Sequence, residues 1–183
     1  MRVMGSRRGM VTVTIAAGFG VVIGCVAIGV SGFYRVAKNV PMIHDITTDP
    51  SDPPAFVSLL PERKASLNGA EYGGPGIAVK QRKAYPDIVP IDSGLPPPDA
   101  FDRALAVARG MDWKIADANP GDGRIEATDT TSWLRFKDDV VIRVRPGEDG
   151  RSRVDVRSDS RLGISDLGKN AARIREFTKR YAG

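Results

Sequence analysis

One cysteine and one histidine are all that 183 residues carry of the two most versatile ligating side chains. With Cys25 alone there can be no intrachain disulfide and no thiolate metal site. With His44 alone there can be no multi-histidine metal centre, and Ser-His-Asp or Cys-His catalysis within one chain is argued against. Any catalysis would rest on carboxylates, lysine, tyrosine or serine. The chain is therefore not expected to be an enzyme or to hold a cofactor. Acidic residues are missing from one stretch: none precedes Asp45, whereas Arg2, Arg7, Arg8, Arg35 and Lys38 do. Of the 27 Lys and Arg, these five leave 22 to balance the 22 Asp and Glu. The formal charge of +5 thus belongs wholly to the N-terminal end, and it does not point to nucleic acid.

Charge of either sign is absent from Gly9–Tyr34, a run of 26 residues. About 20 apolar helical residues suffice to cross a bilayer. Residues 1–38 therefore read as a cytoplasmic tip and a single N-terminal transmembrane helix. Three arginines before the run, against Arg35 and Lys38 after it, favour N-in, C-out. The rest of the chain would then lie outside the cytoplasm, tethered by this helix. Three readings compete with an uncleaved anchor, one of them a twin-arginine signal that SRRGM at Ser6–Met10 matches only in its arginine pair. A cleaved signal peptide would have a shorter apolar core and a small-residue cleavage site. VIGC at Val22–Cys25 resembles a lipobox, yet the residues after Cys25 stay apolar. Ala16, Gly20 and Gly24 lie four apart on one helix face, where small residues let a second helix approach closely in lipid.

Proline is scarce after residue 98 because eleven of the 13 fall between Pro41 and Pro98. Proline fixes φ and removes a donor, so residues 39–98 read as extended chain with one or two short strands and no long helix. GAEYGGPG (Gly69–Gly76) reads as a flexible turn region. Phe56, Val57, Leu59, Leu60 and Ile88 are too apolar for a solvated linker, and they suit packing on the domain that follows.

Residues 99–183 carry the periodic signals. A helix begins at Asp99, places Phe101, Leu105 and Ala108 on one face, and stops at Gly110. Alternating segments follow at Met111–Asp117, Arg124–Thr130, Trp133–Lys137, Val140–Arg145 and Arg151–Ser158. A closing helix from about Asp166 to Tyr181 aligns Asn170, Ile174, Phe177 and Tyr181. The expected fold is α+β: a two-layer sandwich, with an antiparallel meander of about five short strands and two helices on one face. The alternation pairs Ile115 with Ile125, Ala127 with Phe136, Phe136 with Val140, and Ile142 with Val154. Trp113, Leu134, Val156 and these residues then form the apolar face, and the opposite face is charged and solvated. On it Arg143, Arg145, Arg151 and Arg153 crowd beside Trp133. Like charges directly opposite are unfavourable in a sheet, so this corner calls for an acidic partner, either an anionic lipid headgroup or an acidic protein surface.

IEATDTTSWLRFKDDVVIRV and VDVRSDSRLGISDLGKNAARIREF resemble the family catalogued as domain of unknown function 1499. The likeness covers about two thirds of the chain. It implies a bacterial or plastid-related protein, often with a membrane segment, and brings no established reaction, cofactor or catalytic residue.

The densest run, RSDSRLGISDLGKNAARI, joins the last strand to the last helix. Gly163 there suits positive φ, and Ser165 or Asp166 can cap the helix. Arg161 can tie loop carbonyls or Asp138 in place. Arg161, Asp166 and Asn170 therefore read mainly as structural. A small-anion site built from Arg161, the helix N-terminus and Lys169 competes with that reading. So does a cation held by Asp138, Asp159 and Asp166. For the whole chain, an interaction or accessory module for a membrane or envelope complex leads. A lipid or small-anion binding module comes next, and a carboxylate-based hydrolase last.

Overall fold

A six-stranded antiparallel sheet organises residues 41–183, which form one compact unit. The computed structural model describes residues 40–131 and 135–183. Ala16, Gly20, Gly24, Cys25, Trp133 and Leu134 lie outside the described residues. Among the described residues no helix is long and apolar enough to cross a membrane.

The strands are β1 (Asp45–Thr47), β2 (Ile91–Ser93), β3 (Lys114–Asn119), β4 (Arg124–Thr130), β5 (Lys137–Pro146) and β6 (Ser152–Ser160). The helices are α1 (Leu60–Lys64), α2 (Gly74–Ala84), α3 (Pro97–Gly110) and α4 (Lys169–Ala182). The sheet runs β1-β6-β5-β4-β3, with β2 also on β6. Both short strands share one edge, because Asp45 pairs with Asp159 near one end of β6 and Ile91 with Val154 near the other.

The meander differs from the sequence reading in three respects. Lys137 does not end a separate strand: with Asp138 and Asp139 it opens β5, opposite Thr130, Asp129 and Thr128. The turn closes earlier, where Thr131 exchanges bonds with Phe136 and Arg135 takes φ 51°. This leaves one ten-residue strand that buries Val140, Ile142 and Val144 in a row. Phe136 falls outside the ladder and is 48% exposed rather than part of the core. The register is also two residues away from the one the alternation suggested: Ile115 faces Ala127, Ile142 faces Val156 and Val144 faces Val154. A slip of two preserves which side chains face inward, so most of the expected core survives while the charge pairs change. Arg143 now opposes Asp155 instead of Arg153.

Helices α3 and α4 both pack on the apolar face. Pro97 and Pro98 open α3, where a missing N–H costs nothing. Ala100, Phe101, Ala104 and Ala108 bury its inner side. From α4, Ala171, Ile174, Phe177 and Tyr181 meet Val140, Ile142, Val154 and Val156. Trp113 stacks on Phe177 at 5.8 Å, and Phe177 on Tyr181 at 6.1 Å. Each such aromatic burial contributes roughly 1.5–3 kcal/mol.

The other face is not solvated, and the sandwich has a third layer. Residues 49–72 of the proline-rich segment cover it: Phe56 and Leu59 pack on Val141, and α1 sends Arg63 onto β6. Glu126, Asp139, Asp155, Arg157 and Asp159 are consequently buried. The same segment also holds an eleven-residue helix, α2, which begins within the stretch read as a turn. Gly74-Pro75 starts that helix rather than breaking it, because proline is tolerated in a first turn.

Candidate functional site

The arginine corner meets its acids within the chain. Arg143 and Arg145 donate to Asp155 at 2.9 and 2.8 Å, Arg145 to Asp52 at 2.7 Å, and Arg153 to Asp49 at 2.7 Å. Asp49 and Asp52 belong to TTDPSDPP. Asp49 holds that turn by accepting from the amides of Ser51 and Asp52. Arg151 is exposed and stands apart from this cluster. Like charges on neighbouring strands are tolerated because a loop distant in sequence brings carboxylates between them.

Beneath the covering segment lies a second charged layer. Arg157 pairs with Asp45 at 2.8 Å, and Arg161 makes two bonds to Asp139 at 2.8 and 2.9 Å. Fully buried Arg63 bonds both the carboxylate and the carbonyl of Asp159. Phe56 lies between Arg63 and Arg157, which are 5.2 and 5.0 Å from its ring centroid. Glu126 accepts from the amides of Val57, Ser58 and Leu59, each at 2.9 Å. The hydrogen bond to Asp159 raises the His44 imidazolium above its ordinary value. Burial pushes Asp159 up to about 6, against the pull of His44 and Arg63. Tyr72 is pushed by burial up to about 12. The sequence reading passed over Arg63, His44 and Glu126 as members of a network. Only the return of residues 49–72 across the sheet buries them, and no local pattern reports that.

One histidine is enough for a His–carboxylate pair, and His44 forms one with Asp159, so a lone histidine does not by itself exclude a Ser-His-Asp triad. Among the described residues, however, no hydroxyl hydrogen-bonds the His44 ring.

The loop between β6 and α4 is held by its own side chains. Asp166 accepts from the amides of Gly168 at 2.9 Å and Asn170 at 2.6 Å. Gly163 and Gly168 take φ 96° and 82°, values open to glycine without strain. Asn170 bonds Ser158, Ser160 and the carbonyl of His44. Arg161 reaches Asp139 rather than Asp138, while Arg173 takes Asp138 and Asp129. The donors of the conceived anion site are thus engaged by carboxylates, apart from exposed Lys169. Asp138, Asp159 and Asp166 each bond an arginine or amides. Among the described residues no group of three or more ligating side chains is disposed to hold a metal.

What this loop leaves open is a cavity of about 490 Å³ at the end of the sheet. Phe136, Asp138, Leu162, Asp166, Leu167 and Lys169 line it. The acids in its wall are already bonded, so the free surface is apolar with one cation. Phe136 and Leu162 at the mouth are 48% and 49% exposed, and Ile164 beside them is 73% exposed. A second hollow adjoins across Phe136 and Leu162, bordered by Glu62, Arg135 and Lys137. These apolar loop residues have no helical or strand period, so periodicity did not single them out.

The family model described as "Protein of unknown function (DUF1499)" matches residues 45–180. No curated protein matches the chain. The chain belongs to the DUF1499 family, and the matched span runs from β1 into the last turn of α4.

Proposed function

We propose that this member of the family is a membrane-tethered interaction module. Residues 41–183 would hold an apolar group of a membrane or envelope component in the cavity at the sheet end. The single observation that carries this reading is the character of that cavity: its mouth is exposed apolar surface, while the carboxylates of its wall are already bonded within the chain. Such a site favours binding over acid–base chemistry, which needs a group free to exchange its proton. The tethering part rests on the 26 uncharged residues of Gly9–Tyr34 and their basic flanks. On this reading the chain would sit in a bacterial inner membrane, N-in, with the domain in the periplasm.

A photo-reactive residue at Phe136 of the full chain, activated in native membranes, tests this reading. We expect a discrete protein adduct that is lost when Leu162→Glu charges the mouth. Absence of any protein adduct from a chain that stays in the membrane would overturn it.

A further inference from the structure

We propose that the cavity end of the domain rests on an anionic lipid surface, with Met42 and Ile164 entering the headgroup region and Phe136, Leu162 and Leu167 at its level. The proposal deepens the reading above and rests on its tethering part.

Three observations converge. First, the apolar side chains are exposed together at one end: Ile164 is 73% exposed, Met42 56%, Leu162 49%, Phe136 48% and Leu167 37%. Soluble surfaces seldom spend so many large apolar groups in one place without a partner. Second, the chain enters the domain at this same end. Ser165 donates to the carbonyl of Pro41, the amide of Asp166 to that of Ile43, and the amide of Ser160 to that of His44. Only six residues, seven Cα–Cα steps, separate Tyr34, the last of the uncharged run, from Pro41. Fully extended they reach about 25 Å. Ten-residue β5 alone spans roughly 33 Å, so the turn at Glu148–Gly150 lies farther from Pro41 than the tether is long. A domain held this closely presents its entry end to the bilayer.

Third, the free charge around the patch is cationic. Arg135, Lys137 and Lys169 are exposed, with Glu62 the exposed carboxylate bordering the same hollows. Asp138 and Asp166 are buried and bonded, which leaves Glu62 as the free carboxylate at this face against three exposed cations. In the sequence, Arg35 and Lys38 add two further cations to the tether. Apolar groups framed by Lys and Arg suit the boundary between headgroups and acyl chains of an anionic leaflet. An acidic protein surface would meet the cations but leave Ile164 and Met42 unburied.

The test uses the full chain with Cys25→Ser, reconstituted in vesicles of phosphatidylglycerol and phosphatidylethanolamine. An environment-sensitive fluorophore is attached through Ile164→Cys or, at the opposite end of the sheet, Glu148→Cys. Lipids carrying a nitroxide near the headgroup should quench the label at position 164 several-fold more than that at 148, with blue-shifted emission. Replacing phosphatidylglycerol by phosphatidylcholine should reduce the difference. Equal quenching at both positions in chain that resists alkaline carbonate extraction would overturn the lipid contact and leave the anchor standing. Chain stripped by carbonate would overturn the anchor itself. A photo-reactive group at Ile164 that joins only to protein would also sink the lipid assignment.

Discussion

The imidazole Nδ1 of His44 lies 2.9 Å from a carboxylate oxygen of Asp159, on the residue just before β1 and 115 positions away in sequence. That single pair links the edge of the sheet to the buried charge layer, because Asp159 is also held by Arg63. It makes the fold sensitive to pH in a defined direction. The folded-state pKa of His44 is raised above 6.5 by the facing carboxylate. A raised histidine contributes stability that is fully present below the unfolded value and is lost as pH rises through the folded one. His44→Gln should therefore lower the melting temperature most between about pH 6, where Asp159 gains its proton, and pH 6.5, with the gap to wild type narrowing in more acid and in more alkaline solution. A gap that stays constant across that range would show that the pair does not titrate.

Arg63 should be among the most sensitive positions in the chain. Its guanidinium is inaccessible to water and holds buried Asp159, with Asp139 3.5 Å away. Breaking a buried pair by removing one partner costs about 3–5 kcal/mol. Arg63→Ala should thus melt far below wild type, whereas Arg151→Ala, on the exposed turn, should melt with it. Equal melting of the two variants in calorimetry would refute the buried network.

Arg143 and Arg153 were expected, from the sequence, to repel one another, so that their removal would leave stability unchanged or improve it. The geometry reverses that expectation. Both bond Asp155, whose side chain is fully buried, and Arg153 also holds Asp49. The double variant Arg143→Ala/Arg153→Ala should lower the denaturant midpoint, by about 1–2 kcal/mol in all, since partly exposed pairs are worth little singly. High salt should shrink the effect. A midpoint at or above that of wild type would restore the repulsion argument.

Asp166, two residues before the N-cap Gly168, accepts from the Asn170 amide in the first turn of α4, and Arg161 restrains the loop before it through Asp139. Asp166→Ala should cost about 0.5–2 kcal/mol. Arg161→Ala, which leaves a buried carboxylate short of two donors, should cost roughly 1–3 kcal/mol. Hydrogen exchange at the amides of Gly168 and Asn170 should quicken in the first variant and not in a control such as Lys179→Ala. Unchanged exchange in Asp166→Ala would mean that the cap is not formed in solution.

Glu126 accepts three successive amides, those of Val57, Ser58 and Leu59. Glu126→Leu should release the covering segment locally, so that a protease cuts near Val57 while the remaining core stays folded. Resistance equal to that of wild type would show that other contacts suffice to hold the cover.

The alternation of Ile125, Ala127, Val140, Ile142, Val154 and Val156, and the stripe of Asn170, Ile174, Phe177 and Tyr181, were enough by themselves to place an antiparallel sheet under two helices. Local geometry explains why: side chains alternate along a strand and recur at 3.6 along a helix, so inward faces are written into the chain at short range. That Ser165 or Asp166 would serve the start of α4 was legible for the same reason, although the helix opens at Lys169 and Gly168 holds the cap position. Register was not, since a slip of two residues leaves every inward face unchanged and is settled by which charges and turns meet across strands. Nor did the sequence disclose that TTDPSDPPAF and LPERK fold back over the polar face, where they turn apparently solvated arginines and aspartates into a buried network. Desolvation depends on what packs above a residue, and Arg63 meets Asp159 only when residues 96 positions apart have been brought together. The apolar rim of Phe136, Leu162, Ile164 and Leu167 emerged in the same way: two aperiodic loops became one surface when antiparallel pairing of β4, β5 and β6 carried them to the same end of the sheet.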